Sequence, residues 1–172
     1  PDAVTVFIGP CVAKKSEVQD QKIEGNADYV LTFSEIRAIM KAKGVQLEAD
    51  DTSYQEGSVF GKRFANSGGV TAAVIESMKE KGEYVDCKVC KANGAAECKK
   101  ALLLMKAGKL PENFIEGMAC EGGCVGGPSS YNDMVSTKKF RDDLLSRADD
   151  RKIRDNIANY HMETFEMHRK EQ

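Results

Sequence analysis

Short apolar runs alternate along the chain with longer stretches in which apolar residues recur every three or four positions. The run AVTVFIG at residues 3–9 is rich in β-branched and aromatic side chains, which predicts a buried strand that ends at a Gly-Pro turn. The run YVLT then predicts a short strand that leads into a helix. Thr32 and Glu35 have the spacing of a capping box, and Gly44 is placed to end this helix.

The middle of the chain predicts a second set of elements. Residues 45–66 are polar and irregular, whereas residues 66–82 predict a glycine-led turn and a helix capped by Ser67. A strand is expected over residues 83–90. Asn93 is expected to cap the helix that follows, and a glycine ends that helix.

The last third contains one more strand and then helices. NFIEGM at residues 113–118 predicts a short strand that enters a glycine-rich loop, and the pattern is helical from residue 132 onward. We expect a main lobe over residues 1–148 and a C-terminal amphipathic helix over residues 149–172. Strands that alternate with helices favour an α/β fold, with a largely parallel sheet flanked by helices. Such sheets carry functional loops at the carboxyl ends of their strands.

Composition and charge exclude several function classes. The chain has 172 residues and a formal net charge of −2, which gives no electrostatic footprint for nucleic acid or an anionic membrane. Its apolar runs are shorter than the roughly 20 residues that a membrane helix needs. No charged leader with an apolar core opens the chain, so we expect a cytoplasmic protein. Since the chain starts at Pro1, we also expect it to be a piece of a longer protein or a processed one.

Cysteines change this picture. The chain has six of them: Cys11, Cys87, Cys90, Cys98, Cys120 and Cys124. In an intracellular chain of this length, clustered cysteines more often bind metal or carry out redox chemistry than form disulfides. Cys120 and Cys124 lie within EGMACEGGCVGGP, where glycines permit positive φ angles and let backbone amides approach cluster sulfurs. From this loop alone, an iron–sulfur cluster, zinc and two structural cysteines all stay open.

A third cysteine stands in a similar context upstream. Cys11 follows a predicted strand in FIGPCVAKKSE, just as the loop of Cys120 and Cys124 does. Because the carboxyl ends of parallel strands meet at one edge of a sheet, we expect these three thiols to converge there. Lys14 is placed to direct its ammonium group at an anionic cluster, with Glu17 beside it. The lysine after Lys14 is expected to be solvated at the surface.

These residues carry a resemblance to a known family. GPCVAKKSE resembles the second signature of iron-iron (FeFe) hydrogenases, Pro-Cys-x-x-Lys-x-x-Glu. EGMACEGGCVGGP resembles their third signature, Glu-x-Met-Ala-Cys-x-x-Gly-Cys, and ANSGGVTAAV is similar to the glycine-turn helix between the two. Order and direction agree over most of residues 4–131. The resemblance implies that residues 1–148 are one lobe of a two-lobed hydrogenase-like catalytic domain.

The resemblance also implies roles for site residues. It assigns three of the four thiolates of the catalytic H-cluster to Cys11, Cys120 and Cys124. This H-cluster is a 4Fe-4S cluster joined by one cysteine, here Cys124, to a di-iron subcluster with CO and CN ligands. Lys14 would hydrogen-bond a cyanide ligand with Glu17 as its supporting partner, and Met118 would pack beside the di-iron centre. The implied reaction is the reversible conversion of protons and electrons to dihydrogen, with a ferredoxin-like electron donor or domain as partner.

The chain also departs from the family pattern. The first signature, with the fourth cluster cysteine, would precede Pro1. Gly9 stands where the well-known enzymes have Met. The third signature ends in Val-Gly-Gly-Pro. The last two departures resemble divergent, sensory branches of the family. We expect the isolated piece to be inactive, to lack the cluster, and to expose an apolar face that the missing N-terminal part would cover and that drives self-association. The alternatives are a non-catalytic iron–sulfur sensor or assembly protein, and a binding lobe whose cysteines hold zinc or nothing.

The remaining cysteines lie together in CKVCKANGAAEC. Cys87 and Cys90 could form a redox pair or half of a second metal site, with Cys98 nearby. On one strand, however, Cys87 and Cys90 would point to opposite faces, which favours packing roles for these thiols.

Overall fold

The chain forms two compact units that are built alike. The computed structural model describes residues 3–20, 26–48, 57–83 and 86–159. Of the described residues, the first unit comprises 3–20, 26–48 and 127–132, and the second comprises 57–83, 86–126 and 133–159. Within the described residues, each unit contains one pair of parallel strands.

The first unit is centred on strand β2. Strand β1 (Val6–Gly9) pairs in parallel with β2 (Tyr29–Thr32) over their full lengths. Parallel strands need a crossover connection, and here it contains the short helix α1 (Lys14–Glu17). Helix α2 (Phe33–Ala42) follows β2 directly and packs against it. Val30 of β2 is buried, at 7% exposure.

The start and end of α2 confirm two sequence predictions. The hydroxyl of Thr32 accepts a hydrogen bond from the backbone N–H of Glu35 at 3.4 Å, and the carboxylate of Glu35 accepts one from the N–H of Thr32 at 2.8 Å. This is the reciprocal capping box. Beyond the C-cap residue Lys43, Gly44 has a φ of 66°, which is the left-handed conformation that commonly ends a helix.

The second unit contains the remaining elements. In chain order they are α3 (Val59–Lys62), α4 (Gly69–Glu80), β3 (Val89–Asn93), α5 (Ala95–Lys106), β4 (Phe114–Met118), a 3-10 turn (Cys124–Gly126), α6 (Met134–Ser146) and α7 (Ile153–Asn159). Strands β3 and β4 pair in parallel, and α5 forms their crossover and packs against both. The small side chains of Ala92 and Ala101, 2% and 4% exposed, mark this buried contact. The predicted mixture of helices with parallel strands is confirmed.

Helix α7 is attached to α4 through a carboxylate. The side chain of Glu80, the last residue of α4, accepts hydrogen bonds from the backbone N–H groups of Ile153 and Arg154 at 3.0 and 2.9 Å. These N–H groups lie in the first turn of α7, where backbone donors have no partner inside the helix. A negative charge there also interacts favourably with the helix dipole.

Two predicted helix caps were wrong, since a glycine occupies the N-cap position in both helices. Helix α4 is capped by Gly68, whose φ of 86° favours glycine, and the N–H of Ser67 instead donates to the carbonyl of Gly122 at 3.3 Å. Asn93 is the last residue of β3, opposite Met118, and Gly94 occupies the N-cap position of α5.

Two element boundaries also differ from the sequence predictions. Strand β3 begins at Val89 rather than at residue 83, because its register is set by pairing with β4. Helix α3 lies in the stretch 45–66, which was expected to be irregular; the hydroxyl of Ser58 caps it by accepting from the N–H of Gly61 at 3.2 Å. Of the helix predicted over residues 149–172, the structure describes α7, and residues 160–172 lie outside the described residues. The division of the chain at residue 148 stays a prediction.

Candidate metal-cluster site

Cys11 lies in the first unit, directly after β1, and is half-buried. Lys14 begins the short helix α1, and its Nζ lies 2.5 Å from Oε1 and 2.6 Å from Oε2 of Glu17. The two side chains are 38% and 43% exposed, so the ammonium group is still accessible. The structure therefore contains the expected contact between Lys14 and Glu17, while their roles at a cluster stay predictions.

Lys15 lies at the surface, as expected, but its ammonium group has partners there. Its Nζ donates to the carbonyl of Val30 at 3.1 Å and lies 2.9 Å from the carboxylate of Glu35. Hydrogen bonds from the backbone N–H of Thr32, from Lys15 and from the Thr32 hydroxyl lower the pKa of Glu35 to about 2. Lys15 thus attaches the segment after Cys11 to β2 and α2.

Gly9 leaves room for an aromatic ring. A Cβ atom at this position would lie 2.7 Å from Cε1 of Phe7. The ring of Phe7 therefore occupies the space into which a side chain at position 9 would project. The absence of a side chain at Gly9 thus lets the ring of Phe7 lie against the backbone of β1.

Cys120 and Cys124 lie in the second unit, in the loop that follows β4. Cys120 is half-buried, and Cys124 is exposed at the start of the 3-10 turn. Gly122 and Gly123 have φ values of 81° and 89°. The N–H of Gly123 donates to the carbonyl of Cys120 at 3.0 Å. The prediction that the loop needs glycines for positive φ is confirmed at these two positions.

Gly123 is required for a further reason, which lies within the protein. A Cβ atom on Gly123 would come within 2.6 Å of the carbonyl oxygen of Ala65 and 2.7 Å of the amide nitrogen of Ser67. Backbone atoms cannot move aside as a flexible side chain can. At this position the glycine serves close packing of the loop on the turn before α4, which spacing in the sequence did not reveal.

Three hydrogen bonds hold this loop to its neighbours. The carbonyl of Gly122 accepts from Ser67 at 3.3 Å, and the N–H of Val125 donates to the carbonyl of Ala65 at 3.2 Å. The side-chain oxygen of Asn93 accepts from the N–H of Gly122 at 2.8 Å. The loop between Cys120 and Cys124 is therefore fixed by backbone groups and by the end of β3.

Glu116 and Met118 come from the strand that leads into the loop. Glu116 is only 6% exposed, and its carboxylate accepts hydrogen bonds from the N–H groups of Gly68 and Thr71, at 2.7 and 3.2 Å, and from the Thr71 hydroxyl. Met118 is half-buried, and its carbonyl accepts from Gly94 at 2.7 Å. Sequence analysis treated Glu116 only as a motif position and missed its contacts.

The donor atoms of the loop fit part of a thiolate-bound site. All six cysteines are free thiols. Within the ranges that the structure describes, no group of three or more His, Cys, Asp or Glu side chains could hold a metal ion. An iron–sulfur cluster is commonly held by four thiolates, so this loop offers two soft donors and the other ligands would come from elsewhere. The convergence of Cys11 with Cys120 and Cys124 stays a prediction.

Cys87 and Cys98 lie in different segments and have different surroundings. Cys87 precedes β3, so the expectation that it shares a strand with Cys90 was wrong. The thiol of Cys98 donates to the carbonyl of Ala92 at 3.6 Å. A Cβ on Gly117 would lie 3.2 Å from the same sulfur. Gly117 therefore leaves space for Cys98, which supports a packing role for this thiol.

Comparisons with known proteins all point to one family. Residues 1–128 match the model of the iron only hydrogenase large subunit, C-terminal domain. The chain is 30% identical to iron hydrogenase 1 of Clostridium pasteurianum, over 90% of this chain and 35% of the relative. It is also 30% identical to the periplasmic Fe hydrogenase large subunit of Nitratidesulfovibrio vulgaris, over 72% of this chain and 38% of the relative. The chain thus spans little more than a third of these curated relatives.

Solved structures agree in fold. HydA(deltaEFG), an FeFe-hydrogenase whose structure reports stepwise H-cluster assembly, matches with a TM-score of 0.63 at 22% identity, over 95% of this chain and 59% of that one. A variant of the FeFe-hydrogenase HydA1 from Chlamydomonas reinhardtii matches with a TM-score of 0.64 at 21% identity over the same shares. At such identities the likeness shows the fold. Because the family model covers most of the sequence, this chain belongs to the iron only hydrogenase large subunit, C-terminal domain family.

Proposed function

We propose that this chain supplies cluster-binding thiolates to an iron-iron hydrogenase catalytic domain. In its full-length context the protein would be an oxidoreductase that converts protons and electrons reversibly to dihydrogen. The observation that carries the proposal is the family match over residues 1–128, since this range holds both cysteine signatures. Because the chain spans 35% and 38% of two curated relatives, the activity of the whole protein is part of the proposal.

The proposed ligands are Cys11, Cys120 and Cys124. When bound, the H-cluster, with its 4Fe-4S and di-iron parts, would supply the redox chemistry of the reaction. The exposed thiol of Cys124 is suited to bridging two metal groups. The two signatures in which these cysteines stand support this ligand set.

Three further residues, Lys14, Glu17 and Met118, would support the di-iron subcluster. The ammonium group of Lys14 would donate a hydrogen bond to a cyanide ligand, and Glu17 holds that ammonium group on the surface of α1. Met118, half-buried at the end of β4, would offer a soft and adaptable side chain beside Cys120. These roles follow from the signatures in which the residues stand.

Partners are part of the same proposal. Val6, Phe7 and Ile8 of β1 are 45%, 38% and 47% exposed, which is unfavourable for an apolar strand in water. We propose that the N-terminal part of the catalytic domain covers this strand and that a ferredoxin-like donor supplies electrons. The isolated chain would be inactive and would self-associate through the strand. Sedimentation at increasing concentration checks this, and a monomer at all concentrations would contradict it.

We also place the protein in the cytoplasm. Free thiols persist in a reducing compartment, and all six cysteines are free. No helix in the described residues is long and apolar enough to cross a membrane. One relative is named as periplasmic, so fractionation of the source cells is the direct test.

Anaerobic treatment of the full-length protein with iron and sulfide tests the proposed site. We expect broad absorbance at about 400 nm, typical of iron–sulfur clusters and impossible for redox-silent d¹⁰ zinc. Cys120→Ala should weaken this absorbance, whereas the matched control Cys98→Ala should retain it. Equal absorbance from both variants would contradict the proposed ligand set.

Cys124→Ala tests the attachment of the di-iron subcluster in the full-length protein. Because Cys124 is exposed, we expect the melting temperature to stay unchanged and hydrogen evolution to be lost. Unfolding of this variant without any cluster would show that Cys124 is structural, which would overturn its role as a ligand.

A second candidate function is a non-catalytic iron–sulfur sensor or assembly protein. It is favoured by the ring of Phe7 beside Gly9, where the well-known enzymes have Met. Hydrogen evolution by the maturated full-length protein separates the two candidates: a loaded cluster without turnover would favour the sensor.

A further inference from the structure

Glu116 is a buried carboxylate for which the proposed function provides no task. It lies on β4 and is 6% exposed. Burying a carboxylate is costly unless hydrogen bonds compensate for the lost water. Glu116 has such partners: the N–H groups of Gly68 and Thr71, at 2.7 and 3.2 Å, and the hydroxyl of Thr71.

These partners lie at the N-terminus of α4, which has no side-chain cap of its own. The N-cap residue is Gly68, and a glycine cannot supply a capping oxygen. Glu116 provides that oxygen from a strand far along the chain, and its negative charge also stands at the positive end of the helix dipole. The carboxylate therefore joins β4 to the turn that precedes α4.

The same turn also holds the cysteine loop at a second place. Ala65 and Ser67 hydrogen-bond to Val125 and Gly122, at 3.2 and 3.3 Å. The backbone around Cys120 is thus attached to residues 65–71 on both sides, through Glu116 before it and through the loop after it. Removing one attachment would let this stretch open while the other elements stay folded.

We propose that Glu116 is a positioning residue that holds the backbone of the Cys120–Cys124 loop in its ligand-binding conformation before any cluster is present. The loop is then preorganised, and less conformational entropy is lost when its thiols bind. The attachment itself stands on the contacts above, whereas its consequence for a cluster rests on the proposed function.

Hydrogen exchange on the cluster-free chain tests this proposal. In Glu116→Gln, one carboxylate oxygen is replaced by an NH₂ group that cannot accept from a backbone N–H. We expect amides of residues 119–126 to exchange about tenfold faster, since the lost bonds involve a charged group. Alkylation of the half-buried Cys120 should accelerate in parallel. Amides of α2 in the first unit should be unchanged, and the exposed Glu83→Gln should behave as the parent chain.

A pair of variants at Thr71 keeps the test informative if Glu116→Gln fails to fold. Thr71→Val removes the hydroxyl donor at nearly constant shape and should accelerate loop exchange by about threefold. Thr71→Ser keeps the hydroxyl and should leave the loop unchanged. Unchanged loop exchange in both Glu116→Gln and Thr71→Val would overturn the proposal, as would equal acceleration across the whole chain.

Loading with iron and sulfide separates this inference from the proposed function. If the full-length protein forms no cluster while Glu116→Gln still loosens the loop, the proposed function fails and the positioning role stands. If the full-length protein forms a cluster and the loop does not respond to Glu116→Gln, the positioning role fails alone. When both hold, Glu116→Gln should give weaker cluster absorbance than Glu83→Gln.

Discussion

Two cysteine-bearing segments follow parallel strands, one in each unit, and different forces hold them. Beside Cys11 the contacts are ion pairs, Lys14 with Glu17 and Lys15 with Glu35, between side chains that are 38–44% exposed. Around Cys120 the contacts are backbone hydrogen bonds and the buried carboxylate of Glu116. Water and salt screen the first kind of contact and hardly reach the second.

This difference indicates how the two halves of the candidate site respond to change. A loop held by close backbone packing has one conformation available, and a substitution that disturbs the packing is expensive. A segment held by exposed ion pairs loses little when one pair is removed. We therefore expect substitutions to have large effects near Cys120 and small ones near Cys11, where pH and salt have more influence.

Among the changes that test this comparison, Gly123→Ala should have the largest effect on stability. A Cβ there would meet the backbone of Ala65 and Ser67 at 2.6–2.7 Å, at a φ of 89°, so we expect a loss of about 3 kcal/mol or more in unfolding free energy. Gly44→Ala is the matched control, since Gly44 also has positive φ but no atom lies within 4 Å. It should cost only about 1 kcal/mol. Urea denaturation measures both, and equal losses would contradict the comparison.

Acid should have an intermediate effect, which Glu35 makes measurable in the first unit. The pKa of Glu35 is about 2 in the folded protein and about 4.3 in an unfolded chain. The folded state therefore binds fewer protons between these values, so the stabilisation is complete above the higher pKa and is lost as pH falls toward the lower one. We expect protection of α2 amides, corrected for intrinsic exchange, to fall over this range.

Glu35→Gln is the control for the acid experiment. It removes the titrating carboxylate, so the protection of α2 should lose much of its dependence on pH. The pKa of Asp28 is also lowered, because its carboxylate accepts hydrogen bonds from the N–H and hydroxyl of Thr5. Asp28 would therefore account for a remaining loss of protection at low pH. An acid response of α2 that is the same in Glu35→Gln would show that the capping box is not its cause.

Lys14→Gln should have the smallest effect on stability. Lys14 and Glu17 form an exposed pair, and such pairs contribute between about 0 and 1 kcal/mol. The melting temperature should therefore change little, and added salt should reduce even that change. If the proposed function holds, hydrogen evolution by the full-length enzyme should nonetheless fall strongly. Lys139→Gln, an exposed lysine of α6, is the control for the loss of charge.

Elements with local signals could be predicted from the sequence, and those decided by distant partners could not. Thr32, Glu35 and Gly44 specify the ends of α2 through contacts a few residues apart. Ser67 and Asn93 are equally good capping residue types, but in the fold they make long-range contacts. Ser67 donates its N–H to Gly122, and Asn93 pairs with β4 and accepts from Gly122. A single sequence does not show that competition.

The candidate site divides in the same way. Cysteines, lysine and glycines stand in motifs whose spacing can be read directly, so the signatures and the family were predicted. Glu116 stands within one of those motifs, yet its partners lie 45 and 48 residues away at the start of α4. Lys15 is exposed as predicted, but nothing nearby in the sequence indicates its bonds to Val30 and Glu35.

By itself, the sequence determined which chemistry this protein can carry: soft thiolate donors, glycines that permit positive φ, and strands that precede each cysteine. These properties depend on residue type and on neighbours within a few positions. Only the tertiary structure decided how the Cys120–Cys124 loop is held, because Ala65, Ser67 and Asn93 reach it from segments that folding alone brings into hydrogen-bonding distance. Folding likewise brings Glu116, on the strand before the loop, to the start of α4.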